Sequence, residues 1–318
     1  MMIRKLYISI VMFGFFIFIA TTFTYAWLSM STTNSVEDLS LITYSDSLLE
    51  ISLDGENYYN KLPNNILMDL VKNVRFTDLT SFDGKNFSYG VRKKNDKVVI
   101  NKDYISIDFY FRTVDPFSHL VYLSNNVTNE VNYNDSNVSG TFITSEGRTW
   151  ASDINFLYGP NEEINKGDAK TYYAKDAIRV STVERPLNEF DERDNLITKI
   201  FDLSEDEERG FGKTYGSYDY YTKKVGELDL PNNIPNTLYQ LTEFSEEGPF
   251  AYDNNSHILT LIKTDKRGGA NNMYYYEGSI TLNIWLEGWD ADLFDPIFSD
   301  HLKIQFEFKL IRNVIERD

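Results

Sequence analysis

Four carboxylates, Glu287, Asp290, Asp292 and Asp295, fall within nine residues of this 318-residue chain. Hard carboxylate oxygens at that density are the ligand type calcium takes, about six to eight at a time. The spacing is not that of an EF-hand, because no glycine stands at the sixth position and no glutamate closes the loop. The same residues equally suit an ordered loop. There the carboxylates would cap turn amides while Trp285, Trp289, Leu293 and Phe294 pack over the end of a sheet structure. No cofactor other than calcium is indicated.

Other routes to catalysis are thinly supplied. The three histidines, His119, His257 and His301, do not form an HExxH pair, which would set two imidazoles on one helical face around zinc. No GxSxG elbow presents a serine, and cysteine is absent, so neither a thiolate zinc site nor a cysteine nucleophile exists. The run Glu207 to Thr214, EERGFGKT, echoes a phosphate loop. However, Glu207 stands where glycine is required, the carboxylates from Glu205 to Glu208 repel phosphate, and no strand leads in. No catalytic residue is nominated, and the chain reads as a non-enzymatic protein.

Tyrosines cluster at Tyr172–Tyr173, at Tyr215, Tyr218, Tyr220 and Tyr221, and at Tyr274–Tyr276. On exposed loops such side chains stack on sugar faces or anchor a protein partner, offering area at low entropic cost. In strands they are simply β-formers. The group from Tyr215 to Tyr221 is the candidate contact for a surface glycan or protein.

The elements that must position these residues are strands. Ile280, Leu282, Ile284 and Leu286 alternate with Thr281, Asn283, Trp285 and Glu287, and Leu302, Ile304, Phe306 and Phe308 alternate with Lys303, Gln305 and Glu307. A period of two marks half-buried strands, here expected to close over the loop from Glu287 to Asp300. Residues 104–113 repeat the pattern through Ile105, Ile107, Phe109 and Phe111, with Leu120 to Ser124 as an expected partner strand. Leu49, Ile51 and Leu53 mark a first core strand, Asn65 to Lys72 a short helix, and Tyr172 to Val183 a further strand. From Glu184 to Glu208 ten acidic residues face three basic ones, so residues 184–250 are expected to form an acidic, Tyr-rich surface insertion. The fold class is all-β, a sandwich with loop insertions preceded by one N-terminal transmembrane or signal helix.

Arg4 and Lys5 precede the uncharged run from Leu6 to Leu28. As a helix it would span roughly 34 Å, enough for a hydrocarbon core of about 30 Å. The first charges after it are Glu37 and Asp38, so the positive-inside rule places residues 30–318 outside the cytoplasm, either anchored or released. Small residues at Thr24 and Ala26 allow cleavage before Trp27, and residues 1–29 form the expected signal or anchor. A formal net charge of -17 disfavours nucleic acid.

The boundary Thr24-Tyr25-Ala26-Trp27-Leu28-Ser29, directly after an apolar export run, resembles that of the camelysin and TasA-type surface and biofilm-matrix proteins. The segments YISIDFYFRT, HLVYLS, DAIRVS and IWLEGWDADLFD are similar to surface proteins of low-GC bacteria with that type of signal. The resemblance implies a jelly-roll-like sandwich outside the membrane, a dedicated signal peptidase as partner, and in the matrix proteins self-assembly into fibres. The acidic insertion and the long apolar run depart from that pattern. An arm from Trp27 to Leu41, once freed, could complement a neighbour's sheet. An adhesin or carbohydrate-binding module is the alternative.

Overall fold

The computed structural model describes residues 12, 13, 15, 40–45, 48–91, 97–226, 228–245, 250–269 and 271–312. The chain divides into two compact units, Met1–Asn34 and Ser35–Asp318. In the first, Met12, Phe13 and Phe15 are helical and exposed, while the rest of the Leu6–Leu28 run and the signal boundary at Thr24, Ala26 and Trp27 lie outside the described residues. Among the described residues no helix is long and apolar enough to cross a membrane.

The second unit is mostly β, with two sheets packed face to face. Its longest strand, β17 (Met273–Glu287), is the axis of the larger sheet. Along one side it pairs antiparallel with β5 (Ile105–Thr113), Leu282 opposite Ile107. Along the other it pairs antiparallel with β12 (Ile178–Arg185) and, nearer its start, with β16 (Ile262–Gly268). The sheet continues outward through β2 (Glu50–Ser52) beside β5 and β13 (Thr198–Phe201) and β14 (Thr237–Leu238) beyond β12. Near its end β17 also meets β3 (Asp78–Thr80), which pairs β4 (Ser88–Tyr89). The smaller sheet is built on β18 (Leu302–Arg312), flanked by β1 (Ser40–Ser45) on one side and by β6 (Ser118–Leu123) and β7 (Phe142–Ser145) on the other, with β15 (His257–Thr260) beyond β6.

The alternating apolar residues form the interface between the layers. Ile105, Ile107, Phe109, Phe111, Ile280, Leu282, Ile284, Leu286, Leu302, Ile304, Phe306 and Phe308 are all buried in one core cluster. Phe308 meets Phe111 edge-on at 5.1 Å and Phe109 at 5.9 Å, so rings from opposite sheets interlock. Each such burial stabilises by about 1.5–3 kcal/mol. The helix expected at Asn65 to Lys72 forms as α1 (Asn64–Val71), burying Leu67 and Val71 four residues apart on one face.

Three expectations need correction. First, β17 and β18 do not close a hairpin, and β5 and β6 do not pair: in each case the second strand belongs to the opposite sheet. Period two says which face of a strand is apolar, and both arrangements satisfy it. Second, β17 is covered on both faces near its end. Trp285, Asn283 and Glu287 are buried, because Leu79, Tyr104 and Ile200 close a small second cluster over Trp285, and the loop carrying Gly84 accepts hydrogen bonds from Ser181 Oγ (2.7 Å) and Asn283 Nδ2 (3.0 Å). Third, the 184–250 stretch is not a surface excursion throughout. Phe201 and Leu203 are core residues within it, and it supplies β13, β14 and α2 (Ser217–Val225). Averaged charge hid these apolar positions.

Candidate functional site

The end of β17, with Glu287, and the loop after it, with Asp290, Asp292 and Asp295, carry the four candidate ligands, and the loop crosses from one sheet to the other. Its path depends on close backbone approaches. Gly216, at φ 66, lies against Ala291, whose carbonyl oxygen would be 2.2 Å from any Cβ placed there. Ser217 N donates to that same carbonyl at 2.8 Å, and Ser217 Oγ donates to Asp290 O. Phe294, fully buried, is the hub of an aromatic nest. Around it stand Trp150 and Tyr172 from β8 (Arg148–Ala151) and β11 (Ala169–Tyr172), Phe156 and Tyr158 from β9 (Phe156–Gly159), and Tyr220 from α2.

Within this frame the carboxylates do not converge. Glu287 accepts from Trp285 Nε1 (3.0 Å) and caps Trp289 N (3.2 Å). Asp290 caps Asp292 N at 2.8 Å and accepts from Arg179 Nη2, which also lies 2.9 Å from Asp202. Arg179, Asp202 and Asp290 are each about 1% exposed. Asp292 takes a two-pronged bond from Arg209, through Nε at 2.8 Å and Nη2 at 2.6 Å, and the guanidinium lies over the Tyr158 ring at 3.7 Å. Asp295 is exposed and accepts from Tyr221 OH at 2.8 Å.

This donor set does not fit calcium. Two of the four carboxylates are neutralised by guanidinium groups, and a third is spent on an indole and an amide. Among the described residues no group of three histidines, cysteines or carboxylates is placed to share a metal ion. Sequence reasoning missed Arg179 and Arg209, the partners that decide the matter, because they lie 111 and 83 positions away. Arg209 itself belongs to the EERGFGKT run. Its place in a short 3-10 turn bound to Asp292 gives that run a structural use.

Burial pushes the Asp290, Asp202 and Glu287 carboxyls up, against the pull of Arg179. Burial alone would lower Arg179, but Asp202 and Asp290 outweigh it and hold the guanidinium above its ordinary range. Nearby, burial lifts Asp176 to about 6, against the opposing charge of Lys175 at 3.1 Å and with a further push from Asp292. The whole is a buried ionic knot tying β12, β13, the Glu207–Arg209 turn and the loop together.

Two of the four candidate contact tyrosines turn inward, and Tyr215 and Tyr218 are half-buried. Tyr220 and Tyr221 are buried. Tyr220 OH donates to Asp153 (3.1 Å), Tyr218 OH to Leu228 O (2.9 Å), Tyr221 OH to Asp295, and Tyr215 OH to Glu208 O. All four hydroxyls are engaged within the fold. They are legible as a cluster but not as a helix face, on which Tyr220 packs against Phe156 and Phe294 and Tyr221 packs against Tyr220.

An edge of the smaller sheet stands out instead. There, among the described residues, β1 pairs with β18 alone, from Ser40 opposite Lys303 to Ser45 opposite Phe308, and the pairing is parallel. The other pairings of that sheet, among the described residues, are antiparallel. Only residues 46–49 separate β1 from β2, which lies in the opposite sheet. Comparison with known proteins adds no relative: no family model matches the chain, and no curated protein or solved structure is significantly similar to it.

Proposed function

We propose that this chain is a non-enzymatic structural protein of the cell surface or extracellular matrix, delivered by its Leu6–Leu28 segment and assembling through exchange of β1. The observation that carries the reading is the placement of β1. It is an edge strand with one parallel partner, follows the N-terminal segment in sequence, and is joined to the body by a four-residue connection. Parallel pairing is the weaker kind per residue, and a short connection that must switch sheets favours swapping between copies. If β1 of one copy leaves, its β18 presents Lys303 to Phe308 as an open edge that the same strand of another copy can fill in the same register.

Cleavage after Ala26 by a signal peptidase frees the arm and permits fibres. Retention of the segment ties the arm to the bilayer and favours a membrane-anchored surface protein. A jelly-roll-like topology is part of the same reading, supported by the passage of successive strands, β5 to β6 and β17 to β18, between opposite sheets. Binding of glycans or partners through Tyr215 to Tyr221 has no comparable support, since those hydroxyls are engaged internally.

The test is sedimentation velocity on the chain beginning at Trp27, from micromolar to near-millimolar concentration, beside the same chain carrying Ile42→Pro. Proline at the middle of β1 removes a ladder donor. The expected result is linear oligomers that grow with concentration and are lost in the variant. A monomer at every concentration, or equal assembly by both chains, would overturn the proposal.

A further inference from the structure

An open groove of about 750 Å³ lies where the segment after β6 (124–126) and the middle of β18 (Glu307, Lys309) meet Glu205 and the segments 240–244 and 253–255. That volume is within the roughly 300–1,000 Å³ of ordinary ligand sites. Of the described side chains lining it, only Leu241 and Phe244 are apolar.

Both walls are held firmly. On one side Asn126 Nδ2 donates to Leu203 O (3.0 Å) and to Glu205 Oε1 (2.8 Å), and Asn129 Nδ2 donates to Ser204 O (3.0 Å). Two residues on this wall, Asn125 at φ 56 and Glu205 at φ 63, occupy the left-handed region. For glutamate that conformation is uncommon, and such backbone strain concentrates where a surface must be shaped for a ligand. On the other side Thr242 and Ser256 exchange backbone-to-hydroxyl bonds of 3.0 and 2.8 Å, while Asp253 accepts from Thr242 Oγ1 (2.7 Å) and Asn255 N (2.8 Å). A site already rigid loses little entropy on binding.

Several lining groups have unspent hydrogen-bonding capacity. Among the described residues the side chains of Asn125, Gln240, Glu243 and Asn255 make no hydrogen bond or ion pair within the fold. Their chemistry selects the ligand. Among the described residues four carboxylates line the groove against the single ammonium of Lys309, which disfavours phosphates and other anions. The polar walls offer no drive for an apolar molecule. Amides that both donate and accept, beside carboxylates that accept at two oxygens, match vicinal hydroxyl pairs.

We infer that this groove binds a neutral carbohydrate chain. The site is separate from the tyrosine cluster and does not depend on β1 exchange.

The test uses the full chain in a zwitterionic, sugar-free detergent and titrates it calorimetrically with cellohexaose, laminarihexaose, maltohexaose and N-acetylchitohexaose. Spermine and a heparin hexasaccharide serve as the cationic and anionic probes. At least one neutral hexasaccharide is expected to bind, neither charged probe to compete, and Gln240→Ala with Glu243→Ala to weaken binding at least tenfold at an unchanged melting temperature. Tyr215→Phe with Tyr218→Phe, and separately Ile42→Pro, are expected to bind as the parent does, so failure of assembly leaves this result readable. No binding of any neutral probe, competition by spermine, or full affinity in the Gln240/Glu243 variant would each overturn the inference.

Discussion

Replacing Arg179 with methionine should be among the most damaging single changes in the protein, and its damage should be repairable. The guanidinium is about 1% exposed, bonded to Asp290 and to Ile178 O (3.1 Å), and 2.9 Å from Asp202. Arg179→Met fits the same space but leaves two carboxylates buried without a cation. Breaking a buried ion pair from one side costs about 3–5 kcal/mol, because the remaining charge must stay unpaired or take up a proton. Burial already pushes both carboxyls up, so the protonated route becomes easier as the pH falls. The loss should therefore be largest at pH 7–8 and shrink by pH 5. Adding Asp202→Asn and Asp290→Asn removes the stranded charges and should recover all but about 1–2 kcal/mol. The measurement is urea unfolding of the Ser35–Asp318 unit, compared at equal slope. A loss below about 1 kcal/mol for Arg179→Met, or a triple variant as unstable as the single one, would refute the claim that Arg179 holds these carboxylates in place.

Three further outcomes follow from the same geometry. Asp176, lifted from 3.8 to about 6 by burial, keeps in the fold a proton that the unfolded chain has already released, so stability should fall as pH rises from about 4 to 6. The full effect is at most about 3 kcal/mol, and about 1–2 after allowing for a side chain 30% exposed; Asp176→Asn should flatten that slope in melting scans. Millimolar calcium should leave the melting temperature unchanged, since the Asp290 and Asp292 carboxylates are already neutralised by Arg179 and Arg209. Phe294→Ala, which empties the centre of the aromatic nest, should cost about 3–5 kcal/mol in the same urea experiment.

Much of the architecture was legible in residue alternation. Ile105 to Phe111, Ile280 to Leu286 and Leu302 to Phe308 announce their buried faces unaided, because every second side chain of a strand shares a face. What alternation cannot carry is the identity of the neighbour. Alternation sets Trp285 on the face away from the core, and nothing local names Leu79, Tyr104 and Ile200, remote in the chain, as the residues that cover it. The carboxylates at 287–295 look like a cation site until two arginines, more than eighty positions earlier, are found to occupy them. The tyrosines at 215–221 were read by type and crowding. Their direction is set by α2, whose buried face is fixed by Phe156 and Phe294 rather than by anything local. The groove is not legible in sequence because its walls come from five separated segments: 124–126, 205, 240–244 and 253–255, which look like ordinary loops, and the polar positions 307 and 309 of β18.

The position of β17 also constrains the order of events in making the protein. Strands β5 and β12 have no full partner until residues 273–287 exist, and β1 and β6 wait for β18 in the same way. Neither layer can be completed before residues 273–312 have been made. Long-range pairing of this kind is slow to nucleate, so completion of both layers, rather than formation of any one local element, is expected to set the folding rate.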